Sequence, residues 1–181
     1  MRKLTATYAT ATFVALMSSA AWADTLKIAH IDPLSGPTGV LGELAFQHLQ
    51  FAADNINAKG GINGQKVEVI SFDNKMNPQE STIQAQKAIE AGARVLTQGI
   101  GSAVAISLLD FVAKHNARNP DQHVVLFNYA SVDPLVTNDK CNYWHVRWPS
   151  NSDMRVKGLA AHLKDRKEVK KVFLLNQDYA L

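Results

Sequence analysis

Cysteine is almost missing from this 181-residue sequence: Cys141 stands alone. A single thiol closes no internal disulfide and argues against a disulfide scaffold and a Cys-based zinc site. Cys141 reads as a buried thiol, ahead of a partner for a cysteine further along the chain or a reactive site. The six histidines, at 30, 48, 115, 123, 145 and 162, fall in neither HxxxH nor HxH spacing, which removes the usual His-based metal sites. An excess of one charge is missing too. The formal net charge is +3, and without Arg2 and Lys3 the balance is 17 basic to 16 acidic residues. No basic stripe interleaved with aromatics is present, so nucleic acid is excluded as a partner. Beyond the first residues no run is long and apolar enough to span a bilayer.

The first 23 residues have the pattern of an export leader: "MRK" as a positive start, an alanine-rich apolar stretch, and Ala21-Trp22-Ala23 as a small-x-small cleavage site. The mature chain then starts at Asp24. At the other end, "KKVFLLNQDYAL" stops just after a strand-like run, where a helix is due. The expectation is that these residues are the front part of a longer protein.

Between the ends, strand-like and helical patterns alternate. "TLKIAHI" (25–31) reads as a buried strand, and a proline- and glycine-rich loop fills 32–42. Ala45, Leu49, Ala52, Ala53 and Ile56 then share one face of a helix over 43–58. Gly60-Gly61 stop that helix, and Asn63-Gly64 supply a tight turn. Strand "KVEVISF" (66–72) leads to a helix opened by Pro78 and closed by Gly92. "RVLTQ" is the third strand, and the helix opened by Ser102 buries Val104, Leu108, Phe111 and Val112. "HVVLFN" (123–128), an extended run at 142–148, a helix around 152–165 and a strand at 170–175 complete the series. This order predicts an α/β fold with a parallel sheet and helices on both faces. "RWPSNSD" (147–153) marks the boundary, with an N-terminal lobe at 24–147 and the crossover and opening of a second at 148–181.

The functional question centres on "VLTQGIGSAVAISLLDF" (95–111), where a strand runs through two close glycines into a serine-led helix. A dinucleotide fingerprint fails there, because Val104 stands where a third glycine or alanine is needed, and no lysine follows to reach a phosphate. A hydrolase elbow, G-x-S-x-G, fails at the same Val104. Two readings stay open on the residues alone. Ser102 is simply a helix cap, or its hydroxyl and the neighbouring N–H groups hold a carboxylate at the positive end of the helix dipole. Open parallel sheets bind ligands beyond the C-terminal ends of their strands, where "DPLSGPTG", "DNKMNP", "GIGSA" and "NYASVDP" all lie.

"KIAHIDPLSGPTGVLGE", "AADNINAKGGINGQKVEVISFDNKMNP" and "VLFNYASVDPLVT" together resemble the periplasmic solute-binding proteins of ABC importers for branched-chain amino acids, the leucine/isoleucine/valine-binding type. The resemblance spans 24–181, and "INAKGGINGQKVEV" is its most specific piece. It implies a type I periplasmic-binding-protein fold, two hinged lobes closing on a small ligand. It also implies no enzymatic step and no cofactor, a periplasmic location and an ABC permease as membrane partner. By the same resemblance the ligand carboxylate is held at Ser102. Tyr129, Ala130, Ser131 and Val132 supply backbone and hydroxyl groups, Tyr179 closes from the second lobe, and Leu41 lines the side-chain end. Two departures stand out. Val132 lies where relatives commonly carry a threonine that helps hold the ammonium, and Met76 and Gly101 lie where they often pair cysteines. An extracellular sensor domain using the same fold is the alternative, and a serine hydrolase at Ser102 a weaker one.

Overall fold

The computed structural model describes residues 25–175, in which five strands lie parallel in the order β2-β1-β3-β4-β5. They are β1 (Leu26–Asp32), β2 (Val67–Asp73), β3 (Val95–Gln98), β4 (Val125–Asn128) and β5 (His145–Arg147). Ala29 and Ile31 on β1, Leu96 on β3 and Leu126 on β4 are fully buried, which is what places these strands at the centre of the sheet. β2, an edge strand, is mostly half-buried. The leader expected at 1–23 and Tyr179 lie outside the described residues.

The helices are α1 (Gly39–Ala58), α2 (Pro78–Glu90), α3 (Ser102–Arg118) and α4 (Ser152–Lys164). The chain steps outward from β1 to β2 and then back past β1 to β3. With right-handed crossovers, that reversal puts α1 on one face and α2 and α3 on the other. The α2–α3 face is the better filled. Ala85, Ala88, Val104, Ala105, Leu108 and Val112 pack there on the strands. Phe111, expected in this core, is half-buried at its margin.

On the opposite face only Ala53 of the expected stripe is buried, and Ala52 is exposed. Leu49 borders an apolar groove shared with Ile28, Val95, Phe127 and Trp148.

Two expectations are corrected at element ends. α1 starts at Gly39, one turn before the expected 43. Gly39 and Gly42 read as loop residues but are helical, because their missing side chains let the helix approach the preceding loop. A Cβ on Gly42 would sit 1.9 Å from the Pro33 carbonyl oxygen. Residues 170–175 are not a strand. A strand needs a neighbour to pair its N–H and C=O groups, and no strand pairs with this run among the described residues. Cys141 is exposed rather than buried, on a polar loop beyond a short 3-10 turn at Pro134–Thr137.

Two asparagines repeat one device. Asn57 near the end of α1 donates to the Val67 carbonyl and accepts from its N–H, both at 2.8 Å. Asn116 near the end of α3 does the same to Val124, at 2.8 and 2.9 Å. Each helix thereby grips the chain as it enters the next strand. Asn116 is 4% exposed and Val124 fully buried, so Asn116→Ala leaves two buried backbone groups unpaired. Its expected cost is about 1–3 kcal/mol, read as a lower denaturation midpoint at unchanged m-value.

Candidate functional site

The strands present a layer of polar residues at their C-terminal ends: Asp32, Asp73, Gln98 and Asn128, each the last residue of its strand. Asp32 registers against Asp73, and Gln98 against Asn128. Each side chain holds loops rather than facing solvent freely. Asp73 accepts from the Leu34 N–H, the Ser35 hydroxyl and the Lys75 N–H. Burial is the largest single effect on its carboxyl and raises it, but the Ser35, Leu34 and Lys75 bonds and the Lys75 charge together outweigh burial and hold it below the usual range. Gln98 donates to the Ile100 and Gly101 carbonyls at 2.8 and 3.3 Å, tightening the glycine turn. Asn128 accepts from the Ala130 and Ser131 N–H groups and donates to the Ser131 carbonyl.

The strand order reverses between β1 and β3, and the crevice at that point is where open α/β sheets bind ligands. α3 begins there. Its N-cap is Gly101, at φ 89°, a left-handed conformation natural to glycine, and no side chain caps the helix. The cap reading of Ser102 is thus set aside: Ser102 is the first helical residue, and its hydroxyl accepts from that of Ser131 at 2.9 Å. Both serines are buried, at 1% and 2% exposure. As the acceptor in that bond, the Ser102 hydroxyl keeps its own proton to give. It stands beside the open N–H groups of an uncapped first turn, which carry the positive end of the helix dipole.

A pocket of about 210 Å³ collects Gly99, Ile100, Gly101, Ser102, Ala130, Ser131 and Val132. Four of the residues singled out from the sequence, Ser102, Ala130, Ser131 and Val132, therefore meet in one place. Leu41, 54% exposed on the first turn of α1, does not line it. Tyr129 also stands apart. Its N–H donates to the Gln98 carbonyl and its hydroxyl to Asp32 at 2.6 Å, so both donors face inward. Met76 lies against Gly101: a Cβ there would come within 2.9 Å of the Met76 methyl. The two positions at which relatives often pair cysteines are thus neighbours in space.

Sequence reasoning missed Asp32, His30, Gln98 and Asn128. The signal was available: polar residues at the ends of, or within, strands whose other residues are apolar. Asp32 and His30 are both fully buried. Burial pushes Asp32 up to about 7, against the pull of the Tyr129 hydroxyl and the Ile100 and Gly99 amides. Burial likewise lowers His30, against its bond to the Gly42 carbonyl and the charge of Glu43. Among the described residues the side-chain partner of Ser102 is Ser131, and no histidine hydrogen-bonds it.

Residues 25–181 match the periplasmic binding protein family. The chain belongs to that family. Its members bind solutes rather than transform them, and its fold is the type I periplasmic-binding-protein fold. Among relatives, "Leu/Ile/Val-binding protein homolog 4" of Brucella abortus (strain 2308) is 32% identical over 90% of this chain and 39% of its own length. The Leu/Ile/Val-binding protein of Escherichia coli (strain K12) is 32% identical over 42% of this chain and 21% of its own. Among solved structures, the leucine-, isoleucine-, valine-, threonine- and alanine-binding protein of Brucella ovis, in closed conformation, superposes with a TM-score of 0.75. It is 34% identical, over 80% of this chain and 37% of that one. A solute-binding protein of Rhodopseudomonas palustris in complex with benzoate shares the fold at 18% identity, with a TM-score of 0.65. The chain thus spans about two fifths of the length of the first of these relatives. No helix among the described residues is long and apolar enough to cross a membrane.

Proposed function

We propose that these residues are the front part of an exported, periplasmic solute receptor. It captures a small carboxylate-bearing ligand, a branched-chain or related amino acid, and delivers it to an ABC permease. The observation that carries this reading is the uncapped start of α3, with the free proton of Ser102 and the Ala130–Val132 loop gathered into one pocket. A carboxylate placed there accepts from Ser102 and from the first-turn N–H groups. The Ala130 carbonyl, which accepts no hydrogen bond among the described residues, is the natural acceptor for an ammonium. Val132 brings no hydroxyl to that end. The printed names of the Brucella and Escherichia relatives support the amino-acid class.

Residues 24–147 form the first lobe, and 148–181 the crossover and the opening of the second, which carries Tyr179. α4 has no buried residue, and Val172, Phe173 and Leu174 are 66%, 89% and 87% exposed, apolar surface suited to the second lobe's core. Closure of that lobe by hinge rotation removes water from the pocket and strengthens the hydrogen bonds to the carboxylate.

Calorimetric titration of the full-length protein with L-leucine, L-isoleucine and benzoate tests the reading. Ser102→Ala is expected to weaken the preferred ligand by roughly tenfold to a hundredfold, the range of one charge-assisted hydrogen bond. The buried Ser131 hydroxyl loses its partner in the same variant, so stability is expected to fall by about 1–3 kcal/mol and affinity is read on the folded protein. Unaltered affinity, or hydrolysis of an ester or amide that the substitution abolishes, rejects it.

A further inference from the structure

Behind the pocket, three segments converge on one carboxylate. Asp32 Oδ1 accepts from the Ile100 N–H at 2.9 Å, and Oδ2 from the Gly99 N–H at 3.1 Å and the Tyr129 hydroxyl at 2.6 Å. The first two donors belong to the turn that sets the start of α3. The third belongs to the residue that opens the Ala130–Val132 loop. The Tyr129 ring also covers Gly99 so closely that a Cβ there would fall 2.3 Å from a ring carbon. Asp32 is therefore the point at which the two halves of the pocket are joined.

A second tie comes from the side of α1. His30 is 3.0 Å from the Gly42 carbonyl through Nε2. A carbonyl only accepts, so Nε2 carries a proton, and Nδ1 faces Asp32 Oδ2 at 3.6 Å with no hydrogen-bond partner. The imidazole lies between the rings of Phe46 and Tyr129, with centroids 5.9 and 6.2 Å away.

We propose that Asp32 is a positioning residue for ligand binding, holding the Gly99–Ser102 turn and the Tyr129–Val132 loop at a fixed separation through its bonds to the Gly99 and Ile100 amides and the Tyr129 hydroxyl. It touches no ligand. The separation it sets is the spacing between the groups that receive the two ends of the solute, and in that respect the inference rests on the functional reading above. A bond in water would not hold two loops firmly, but this carboxylate is fully buried, where each of its hydrogen bonds is strengthened by the low local dielectric. The two links are separable, because Tyr129→Phe cuts the loop and spares the turn, while Asp32→Ala cuts both.

The test combines amide exchange with affinity, in the full-length protein and its Asp32→Ala, Asp32→Asn, Tyr129→Phe and Asp32→Ala/Tyr129→Phe variants, with L-leucine as the probe. Asp32→Ala is expected to speed exchange at Gly99 and Ile100. Asn in its place keeps an acceptor oxygen for those amides and should restore protection. Tyr129→Phe should leave Gly99 and Ile100 protected, speed exchange at Ala130–Val132, and weaken L-leucine by roughly tenfold, the worth of one hydrogen bond to a charged group. The double variant should bind no worse than Asp32→Ala alone, because both changes cut one linkage.

Unchanged protection at Gly99 and Ile100 in folded Asp32→Ala overturns the proposal. So does native affinity in Tyr129→Phe, which stands as the deciding variant should Asp32→Ala not fold. If the wild-type protein ignores L-leucine, the ligand class proposed above fails instead. The exchange measurements need no ligand and still decide the role of Asp32.

Discussion

Gly99→Ala is expected to abolish tight ligand binding and to lower stability by about 2–6 kcal/mol, the combined range for overpacking and for unpairing a buried hydroxyl. Gly99 is buried between β3 and α3, and the space a methyl would take is already filled by the aromatic ring of Tyr129, 2.3 Å from the position of the new carbon. The ring cannot retreat without withdrawing its hydroxyl from Asp32, and the turn cannot retreat without withdrawing the Gly99 and Ile100 amides from the same carboxylate. Either movement widens the pocket. Titration with L-leucine should show a loss of at least roughly a hundredfold, while the far-ultraviolet spectrum stays that of an α/β protein. A Gly99→Ala protein of native affinity would mean that the contact between ring and turn has no bearing on binding.

Leu108→Ala has the opposite profile. Leu108 is fully buried near the middle of α3, in the cluster with Leu96, Leu126 and Val112. Truncating it removes three carbons from a close-packed interior that relaxes only in part, at an expected cost of about 2.7–5 kcal/mol. Its place lies more than a turn from Ser102, on the face turned to the sheet. The N-terminal turn of α3 is held independently by Gln98 and by the Ser102–Ser131 bond. Ligand affinity of the folded fraction should therefore stay within about threefold of the parent, since a stability loss and a binding loss at separate sites add without coupling. Denaturation curves and titrations on one preparation separate the two quantities. A matching fall in both would show that the core of α3 and the pocket are a single unit.

The helices and strands that bury a face were legible in the sequence. Val104, Leu108 and Val112 recur at the helical period, and all three are buried on α3. The parallel arrangement followed from alternation, and with it the C-terminal strand edge where the pocket lies; the order of the strands came only from the structure. What escaped depended on contacts between distant segments. Gly39 and Gly42 looked like loop residues because nothing local tells that the Leu34 and Pro33 backbone presses against them, respectively, from outside the helix. Residues 170–175 are rich in valine, phenylalanine and leucine, but propensity makes no strand without a neighbour to pair with. In the pocket, Ser102 and the 129–132 loop were found through their small and hydroxyl side chains. Asp32 was passed over, because its partners stand 67, 68 and 97 residues away.

The amide clips of Asn57 and Asn116 bear on how this topology is reached at all. Parallel strands join across long crossovers, so their alignment is ordinarily the last thing a folding chain settles. Here each clip spans only ten or eight residues and seizes both the N–H and the C=O at a strand's threshold. A slip of one residue would turn every side chain of β2 or β4 to the wrong face, and each asparagine makes that slip cost two hydrogen bonds before the sheet has formed.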